Sequence, residues 1–154
     1  EGTLTRNFQG YVTQDQSAVL GLGVSSISHI DGHFWQNEKG LKDYYDALVK
    51  QQLPIVKGYH STFEDKIRGD LIKKLLCEFK VNLHAFTTQW SIDNFACYFD
   101  EEIKRLQPFI DDGLVKLTAD QLMITSAGKL LVRTIASSFD EYLNTHQMRY
   151  SRVI

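Results

Sequence analysis

The sequence predicts an α+β fold that is mostly helical. Three observations predict it. Two apolar, glycine-containing stretches near the N-terminus are strand-like, the second half carries amphipathic helical stripes, and two short alternating runs between those helices have the pattern of a β-hairpin. At 154 residues the chain has the length of one domain, or of one small domain with a piece of another.

The two N-terminal strand-like stretches have no predicted neighbouring element that would bury their apolar faces. Residues 6–13 read RNFQGYVT, and residues 18–28 end in the apolar run LGLGVSSIS, with a polar turn-like segment over residues 14–17 between them. Strands that are apolar on successive positions are typical of parallel sheets, whose two faces are both covered. We therefore expect both stretches to be part of a larger α/β structure.

The next predicted elements are a loop, a helix and a short extended segment. Residues 29–35 lose the strand pattern and predict a loop that contains Asp31 and Gly32. Apolar and aromatic residues then recur at helical spacing and predict a helix over residues 41–49. Pro54 marks its end, and an extended segment follows.

The second half predicts longer helices. Ser61 or Thr62 is the expected N-cap of the first, and Ser91 or Asp93 that of the second, which Gly113 closes. The predicted buried stripe of the first is Ile67, Leu71, Ile72, Leu75, Leu76 and Phe79. That of the second is Phe95, Ala96, Phe99, Ile103, Leu106, Phe109 and Ile110.

A hairpin and a last helix complete the pattern. Two alternating runs, residues 114–118 and 122–125, predict the hairpin. Thr125 or Ser126 caps the last helix. Its predicted buried stripe is Leu130, Leu131, Ile135, Phe139, Tyr142 and Leu143. Two helices, a hairpin and a helix predict a winged-helix-like arrangement.

Composition argues against several classes of protein. The net charge of −2 supplies no attraction towards nucleic acid or anionic membrane. The apolar stretches are shorter than the roughly 20 residues of a membrane span, and no signal-peptide pattern begins the sequence. We therefore expect a cytoplasmic protein with no membrane span and no nucleic-acid partner. Cys77 and Cys97 lie in helical patterns and are expected to be buried, reduced thiols.

Candidate motifs are weak when taken one at a time. Gly21 and Gly23 begin a dinucleotide-binding pattern, but Ser26 stands where a third glycine or alanine is expected, and the glycines lie inside the apparent strand. Glycines within a strand more often mark close approach by another backbone or a ligand. His29 and His33 would share a face only on a helix, and Asp31 and Gly32 between them indicate a loop, so we expect a surface or loop-packing role for both histidines and no metal site.

One local pattern favours a small-molecule pocket. Phe8 and Gln9 stand beside Gly10 at a strand end, where a glycine lets a ligand approach. An ordinary strand end has the same composition.

Longer blocks of the sequence resemble a known family. They are RNFQGYVTQ (6–14), LGLGVSSIS (20–28), KGLKDYY (39–45), DKIRGDLIKKLLCEF (65–79), DGLVKLT (112–118), ITSAGKLLVRTIASSFD (124–140) and the terminal SRVI. Together, and in this order, they resemble the oxygen-independent coproporphyrinogen III oxidases, which are radical S-adenosylmethionine enzymes of haem synthesis. The family pattern has a second arginine after Arg68, where this chain has Gly69.

The resemblance implies a C-terminal fragment with two domains. Residues 1–60 would be the last segments of an incomplete α/β barrel, and residues 61–154 the helical, winged-helix-like domain. The family enzyme uses a [4Fe-4S] cluster and S-adenosylmethionine to generate a radical, and it oxidatively decarboxylates propionates of coproporphyrinogen III to give protoporphyrinogen IX. The cluster motif CxxxCxxC is absent here, so the resemblance implies that this chain holds no metal and is inactive alone.

The resemblance also implies specific site residues and partners. Phe8, Gln9 and Ile27 match family positions at a second S-adenosylmethionine site, and no residue of this chain is predicted to be catalytic. The partners would be the rest of the barrel and coproporphyrinogen III. Arg6, Arg68 and Arg133 are candidates for binding propionates, although a structural salt bridge is the more frequent role of such arginines.

Two alternatives stay open. A noncatalytic winged-helix module for protein interaction or DNA binding fits the predicted elements, although residues 126–143 carry no net charge. A relative in the radical family that acts on another tetrapyrrole, or transfers haem, also fits.

Overall fold

The computed structural model describes residues 5–7, 10–12 and 18–145, which form a mixture of helices and strands, as predicted. The strands are β1 (Thr5–Asn7), β2 (Gly10–Val12), β3 (Ala18–Val19), β4 (Ile27–Ile30), β5 (His33–Asn37), β6 (Ile55–His60), β7 (Lys80–Asn82), β8 (Val115–Leu117) and β9 (Gln121–Ile124). The α-helices are α1 (Leu41–Val49), α2 (Phe63–Glu78), α3 (Leu83–Trp90), α4 (Phe95–Tyr98), α5 (Asp100–Asp111), α6 (Val132–Ala136) and α7 (Tyr142–Thr145). The chain divides into two compact units, residues 14–66, and residues 1–13 with 67–154.

The unit of residues 14–66 contains a four-stranded sheet in the order β3-β4-β5-β6. Every neighbouring pair is antiparallel, so the expectation of parallel strands here is wrong. Antiparallel sheets can leave one face open. The single strand predicted over residues 18–28 is wrong as well, because a turn at residues 23–25 separates β3 from β4. Gly23 and Ser25 have positive φ there, +94° and +60°.

The loop predicted over residues 29–35 is a β-hairpin in the structure. Ile30 pairs with His33, which leaves Asp31 and Gly32 as a two-residue connection between β4 and β5. Both connecting residues have positive φ, +46° and +76°, as a type I′ turn requires. Asp-Gly is a strong sequence signal for this turn, and it fixes which side chains of the two strands share a face.

Two further predictions for this unit are confirmed. Helix α1 spans residues 41–49, as its apolar spacing predicts. The extended segment after Pro54 is β6, which pairs with β5 at the edge of the sheet. Helix α1 has no buried residue, and Val49 and Leu53 are 84% and 80% exposed. The unit therefore presents apolar side chains to its surroundings.

Residues 6–13 do not form one strand. Strands β1 and β2 pair antiparallel, with Arg6 opposite Tyr11 and Asn7 opposite Gly10. The sequence pattern missed the change of direction within this short stretch. Phe8 and Gln9 lie outside the described residues.

Helix α2 confirms its prediction and begins with a reciprocal cap. The backbone N–H of Asp65 donates to Thr62 Oγ1 at 3.1 Å, and the backbone N–H of Thr62 donates to Asp65 Oδ2 at 2.7 Å. This arrangement satisfies two N–H groups at the helix start. Four residues of the predicted stripe are buried, namely Ile67, Leu71, Leu75 and Leu76. Ile72 and Phe79 are partly exposed.

The segment after α2 contains elements that the sequence pattern did not predict. Strand β7 is followed by α3, whose N-cap is Asn82; its Oδ1 accepts a hydrogen bond from Ala85 N at 2.8 Å. Neither Ser91 nor Asp93 caps the following helix: the cap is Asn94, which accepts from Cys97 N at 2.9 Å. The long predicted helix is two helices, α4 and α5, with Phe99 between them. Gly113 closes α5 as predicted, with φ +71°.

The hairpin of β8 and β9 is confirmed, and β7 adds a third strand in the order β7-β9-β8. The predicted cap Thr125 is also confirmed, since its Oγ1 accepts a hydrogen bond from Gly128 N at 3.2 Å. The continuous last helix is wrong. Residues 128–131 and 137–139 are 3₁₀ turns on either side of α6, and α7 follows after residue 140.

These breaks rotate the buried face of the last segment. A 3₁₀ turn repeats every three residues and an α-helix every 3.6, so the predicted 3.6-residue stripe does not hold. Leu130 is 93% exposed, and Tyr142 is 50% exposed, whereas Val132, Ile135 and Phe139 are buried. The fully buried Phe99 lies between the rings of Phe95, at 4.8 Å, and Phe139, at 5.5 Å.

Candidate cofactor-binding groove

Ile27 is the predicted site residue that the structure describes. It is the first residue of β4 and is 36% exposed. A Cβ added to Gly21 would lie 2.7 Å from the carbonyl oxygen of Ile27, so the chain before the turn passes too close to β4 for any larger residue. Gly21 N also donates to Oγ of the buried Ser28 at 3.0 Å. The prediction that these glycines mark close approach is confirmed at Gly21, where the neighbour is backbone.

Ile27 lines a concave surface of about 400 Å³, here called the β4–β6 groove. Its lining is Ile27, Phe34, Trp35, Gln36, Lys57, Gly58 and Tyr59. Gln36 pairs with Ile27 on one side and with Lys57 on the other. Residues opposite each other in an antiparallel ladder share a face of the sheet. The groove therefore brings an apolar side chain, an amide and an ammonium group onto one face.

Hydrogen bonds and ring stacking hold the polar and aromatic groups of this groove. The hydroxyl of Tyr59 donates to Asp65 Oδ2, the same carboxylate oxygen that caps α2. Gln36 Nε2 donates to the carbonyl oxygen of Ser25 at 3.0 Å. The ring of Phe34 stacks on His29 at 4.2 Å. These contacts orient three of the lining side chains, Phe34, Gln36 and Tyr59.

Sequence reasoning missed Gln36, Lys57 and Tyr59 as groove residues. The signal that could have found them is the Asp31-Gly32 turn. This turn fixes the register of β4 and β5. Because Ile30 then pairs with His33, Ile27, three residues before Ile30, pairs with Gln36, three residues after His33. Lys57 needed the tertiary pairing of β5 with β6, because a helix and a loop separate those strands.

The histidines occupy different positions around the hairpin. His29 stacks on Phe34, while His33 lies against His60 with ring centroids 4.3 Å apart. His29 and His33 alternate to opposite faces, because Ile30 is the residue opposite His33. Each ring packs against a neighbouring ring, as expected, but from the strands β4 and β5 and not from a loop. Over residues 5–7, 10–12 and 18–145, no group of three His, Cys, Asp or Glu side chains is placed to hold a metal ion.

Both cysteines are free thiols, but the expectation that both are buried is wrong for Cys97, which is exposed on the short helix α4. Cys77 is partly buried on α2. Partial burial raises the pKa of the Cys77 thiol above its ordinary value, against the lowering effect of Lys73 and Arg6. The protonated thiol is the weaker metal ligand and nucleophile.

The arginines that could have bound carboxylates differ in role. Arg68 Nη1 donates to Glu102 Oε1 at 2.8 Å, so its structural salt bridge is confirmed. The Arg6 guanidinium lies 5.6 Å from the centre of the Tyr11 ring. Arg133 is exposed on α6.

In the part of the chain that the structure describes, no helix is both long enough and apolar enough to cross a membrane.

Comparison with known proteins supports the resemblance in the sequence blocks. No family model matches the chain. Curated relatives named oxygen-independent coproporphyrinogen III oxidase align with all of it: that of Pseudomonas aeruginosa is 43% identical over 155 positions and that of Salmonella typhimurium 42% over 156. The relative from Helicobacter pylori is 32% identical over 98% of the chain. The chain spans about a third of the length of these relatives, 34%, 34% and 33% respectively.

A solved structure gives the same result for the fold. Coproporphyrinogen III oxidase (HemN) of Escherichia coli, described as a radical SAM enzyme, superposes with a TM-score of 0.87 and 42% identity. The match covers 92% of this chain and 32% of that enzyme. Sequence and fold agree on one family along nearly the whole chain. The predicted resemblance is confirmed: this chain is a homologue of about one third of oxygen-independent coproporphyrinogen III oxidase.

Proposed function

We propose that the chain is the C-terminal part of an oxygen-independent coproporphyrinogen III oxidase. The complete protein would oxidatively decarboxylate coproporphyrinogen III to protoporphyrinogen IX in haem biosynthesis, in the cytoplasm. The observation that carries the proposal is the 42–43% identity along the whole chain to enzymes of that name, together with the shared fold. No specific observation favours the DNA-binding alternative.

The proposal includes two domains. Residues 1–60 would complete the barrel and residues 61–154 would form a winged-helix-like domain. The exposed apolar residues of the first segment support a missing partner, since α1 buries none of its residues and Leu41 is 63% exposed. Contiguous exposed apolar surface marks an interaction site in soluble proteins. The partner that we propose for it is the rest of the barrel in the same polypeptide.

The iron–sulfur cluster of the complete protein would be held outside this chain. A [4Fe-4S] cluster needs several cysteine thiolates at close spacing, and this chain has two cysteines, Cys77 and Cys97, twenty positions apart. When bound, the cluster and S-adenosylmethionine supply the radical chemistry of such enzymes. The fragment alone is therefore expected to be inactive.

From the family resemblance, we propose that Phe8, Gln9 and Ile27 contact a second S-adenosylmethionine in the complete protein. The β4–β6 groove is our candidate for the part of that site to which Ile27 belongs. The chemistry of the groove fits such a ligand. Ile27 and the ring of Phe34 offer apolar contact to an adenine base, and the Lys57 ammonium suits a carboxylate. Gly58, which also lines the groove, adds no side chain to it.

The proposed activity is tested with the complete polypeptide purified without oxygen. We expect the visible absorption of an iron–sulfur cluster and, with S-adenosylmethionine and a reductant, the formation of vinyl groups from coproporphyrinogen III. Omission of S-adenosylmethionine is the control and should abolish product. A protein with neither cluster nor vinyl product would refute the assignment.

Replacement of Gln9 tests the second cofactor site. In the complete enzyme, Gln9→Ala is expected to weaken S-adenosylmethionine binding about two- to tenfold, the effect of one lost hydrogen bond of roughly 0.5–1.5 kcal/mol. Isothermal titration calorimetry and turnover measure it. The matched control is Gln52→Ala, which removes an exposed amide beyond α1 and should change neither. If Gln9→Ala behaves like Gln52→Ala, Gln9 has no part in binding.

A further inference from the structure

A second concavity, of about 440 Å³, lies on the three-stranded sheet of the other unit. Its lining includes three lysines, Lys80, Lys116 and Lys129, and we call it the lysine pocket. Phe79 and Met123 contribute apolar surface to it. Its volume is in the range of pockets that bind small organic molecules.

Strand register places two of these lysines on one face. Met123 of β9 pairs with Lys80 of β7 on one side and with Lys116 of β8 on the other. Neighbouring strands lie roughly 4.8 Å apart, so the two lysine backbones are about 10 Å apart across Met123. Their long side chains can reach the same ligand, and the thioether of Met123 lies between them.

Lys129 closes a third side, over an aromatic ring. Its Nζ lies 4.7 Å from the centre of the Phe79 ring. Phe79 has φ +61°, a left-handed conformation that is uncommon for a bulky residue. Backbone hydrogen bonds hold it there, from Phe79 N to Leu75 O at 3.2 Å and from Ile124 N to Phe79 O at 2.8 Å. The first of these bonds closes the C-terminus of α2, which ends at Glu78, so Phe79 is the left-handed C-cap of that helix.

The charge of the pocket is unbalanced. Among the described residues, none of the three lysines has a carboxylate within ion-pair distance, and Glu78 is the one acidic residue in the lining. The pocket therefore carries a formal charge of about +2 in a chain whose net charge is −2. Ammonium groups around apolar surface favour a ligand that has both carboxylates and an apolar body.

We propose that the lysine pocket binds an organic polycarboxylate, with its carboxylates on Lys80, Lys116 and Lys129 and its apolar body against Phe79 and Met123. A tetrapyrrole with propionate side chains has this chemistry. The choice of that probe rests on the proposed function, whereas the pocket itself rests on the register, the ring contact and the charge.

The test uses the complete protein with ¹³C-labelled methionine methyl groups. The Met123 signal is identified by its loss in Met123→Leu, and coproporphyrin III, a stable tetracarboxylate, is titrated at low ionic strength. We expect a saturable shift of that signal from the ring current of the porphyrin. The triple variant Lys80→Gln, Lys116→Gln, Lys129→Gln should weaken the apparent affinity at least about fivefold.

Matched measurements keep the proposal open to refutation. Lys42→Gln removes one exposed positive charge from α1 and should leave the titration unchanged. An unmoved Met123 signal, or an equal affinity in the triple variant, would overturn the site. An equal response to inorganic phosphate would overturn the preference for an organic ligand. Loss of vinyl formation with a normal Met123 response would refute the proposed activity and leave the pocket standing.

Discussion

Glu102→Ala is expected to lower the free energy of unfolding by about 3–5 kcal/mol. The carboxylate of Glu102 on α5 accepts from Arg68 Nη1 of α2 at 2.8 Å, and the two side chains are 8% and 16% exposed. Arg68 Nη1 also donates to the carbonyl oxygen of Phe139 at 3.2 Å, and its guanidinium lies 5.5 Å from the centre of the Phe99 ring. Removal of Glu102 takes away a buried carboxylate that lies 2.8 Å from a largely buried guanidinium, which is much costlier than losing an exposed ion pair.

Native-state amide exchange on α2 and α5 in the complete protein measures the free energy of opening. The expected decrease in stability should appear as a lower free energy of opening in Glu102→Ala. Glu141→Ala is the control: its carboxylate is 3.7 Å from Arg68 but 55% exposed, so the expected loss is below about 1 kcal/mol. The double variant Arg68→Met, Glu102→Leu removes both charges and should recover most of the stability. A double variant as unstable as Glu102→Ala would show that lost packing, and not the loss of the buried counter-charge, dominates.

Gly128→Ala is expected to destabilise the same unit by about 3 kcal/mol, at the upper end of the usual cost of overpacking. A Cβ at this position would lie 2.1 Å from the carbonyl oxygen of Leu114 and 3.0 Å from Ile124 Cγ2. A flexible side chain could move aside, but the first contact is backbone beside β8. Relief of the clash would therefore have to displace the turn before α6, along with Lys129.

Gly69→Ala is the matched control for Gly128→Ala, since each adds one methyl group to the same unit. Gly69 is exposed on α2, and a Cβ there would meet no atom within 4 Å. Alanine has the higher helix propensity, so this variant should be more stable by about 0.5–1 kcal/mol. Thermal unfolding of the complete protein compares the two. Equal melting temperatures would contradict the close approach at Gly128.

The local sequence pattern predicted the elements that are determined by interactions between residues close together in the chain. Helices α1 and α2 follow from apolar spacing, and the β8–β9 hairpin follows from two alternating runs around a polar turn. Thr62 and Thr125 were recognisable as caps because a hydroxyl before an apolar helix has one common use. In each case the deciding interactions lie within a few residues along the chain.

The features that the sequence pattern did not predict share a different cause: they depend on residues that are distant in sequence. They are the direction of the N-terminal strands, the pairing of β7 with β9, and the change of buried face in the last helical segment. Helix α3 is short, and few apolar residues mark its buried face. The 3₁₀ turns at residues 128–131 arise where Gly128 packs against the backbone of Leu114, a contact that no local pattern contains.

The sequence by itself determined the α+β class, helices α1 and α2, the β8–β9 hairpin and the family resemblance, because these depend on periodicity and on the order of short blocks. Tertiary structure decided which side chains meet. Ile27, Gln36 and Lys57 lie side by side only because β4, β5 and β6 pair in this register. Lys80 and Lys116 lie on either side of Met123 only because β7 and β8 both pair with β9. A binding surface is made by side chains that are remote in sequence, and their register is set by backbone hydrogen bonds between strands.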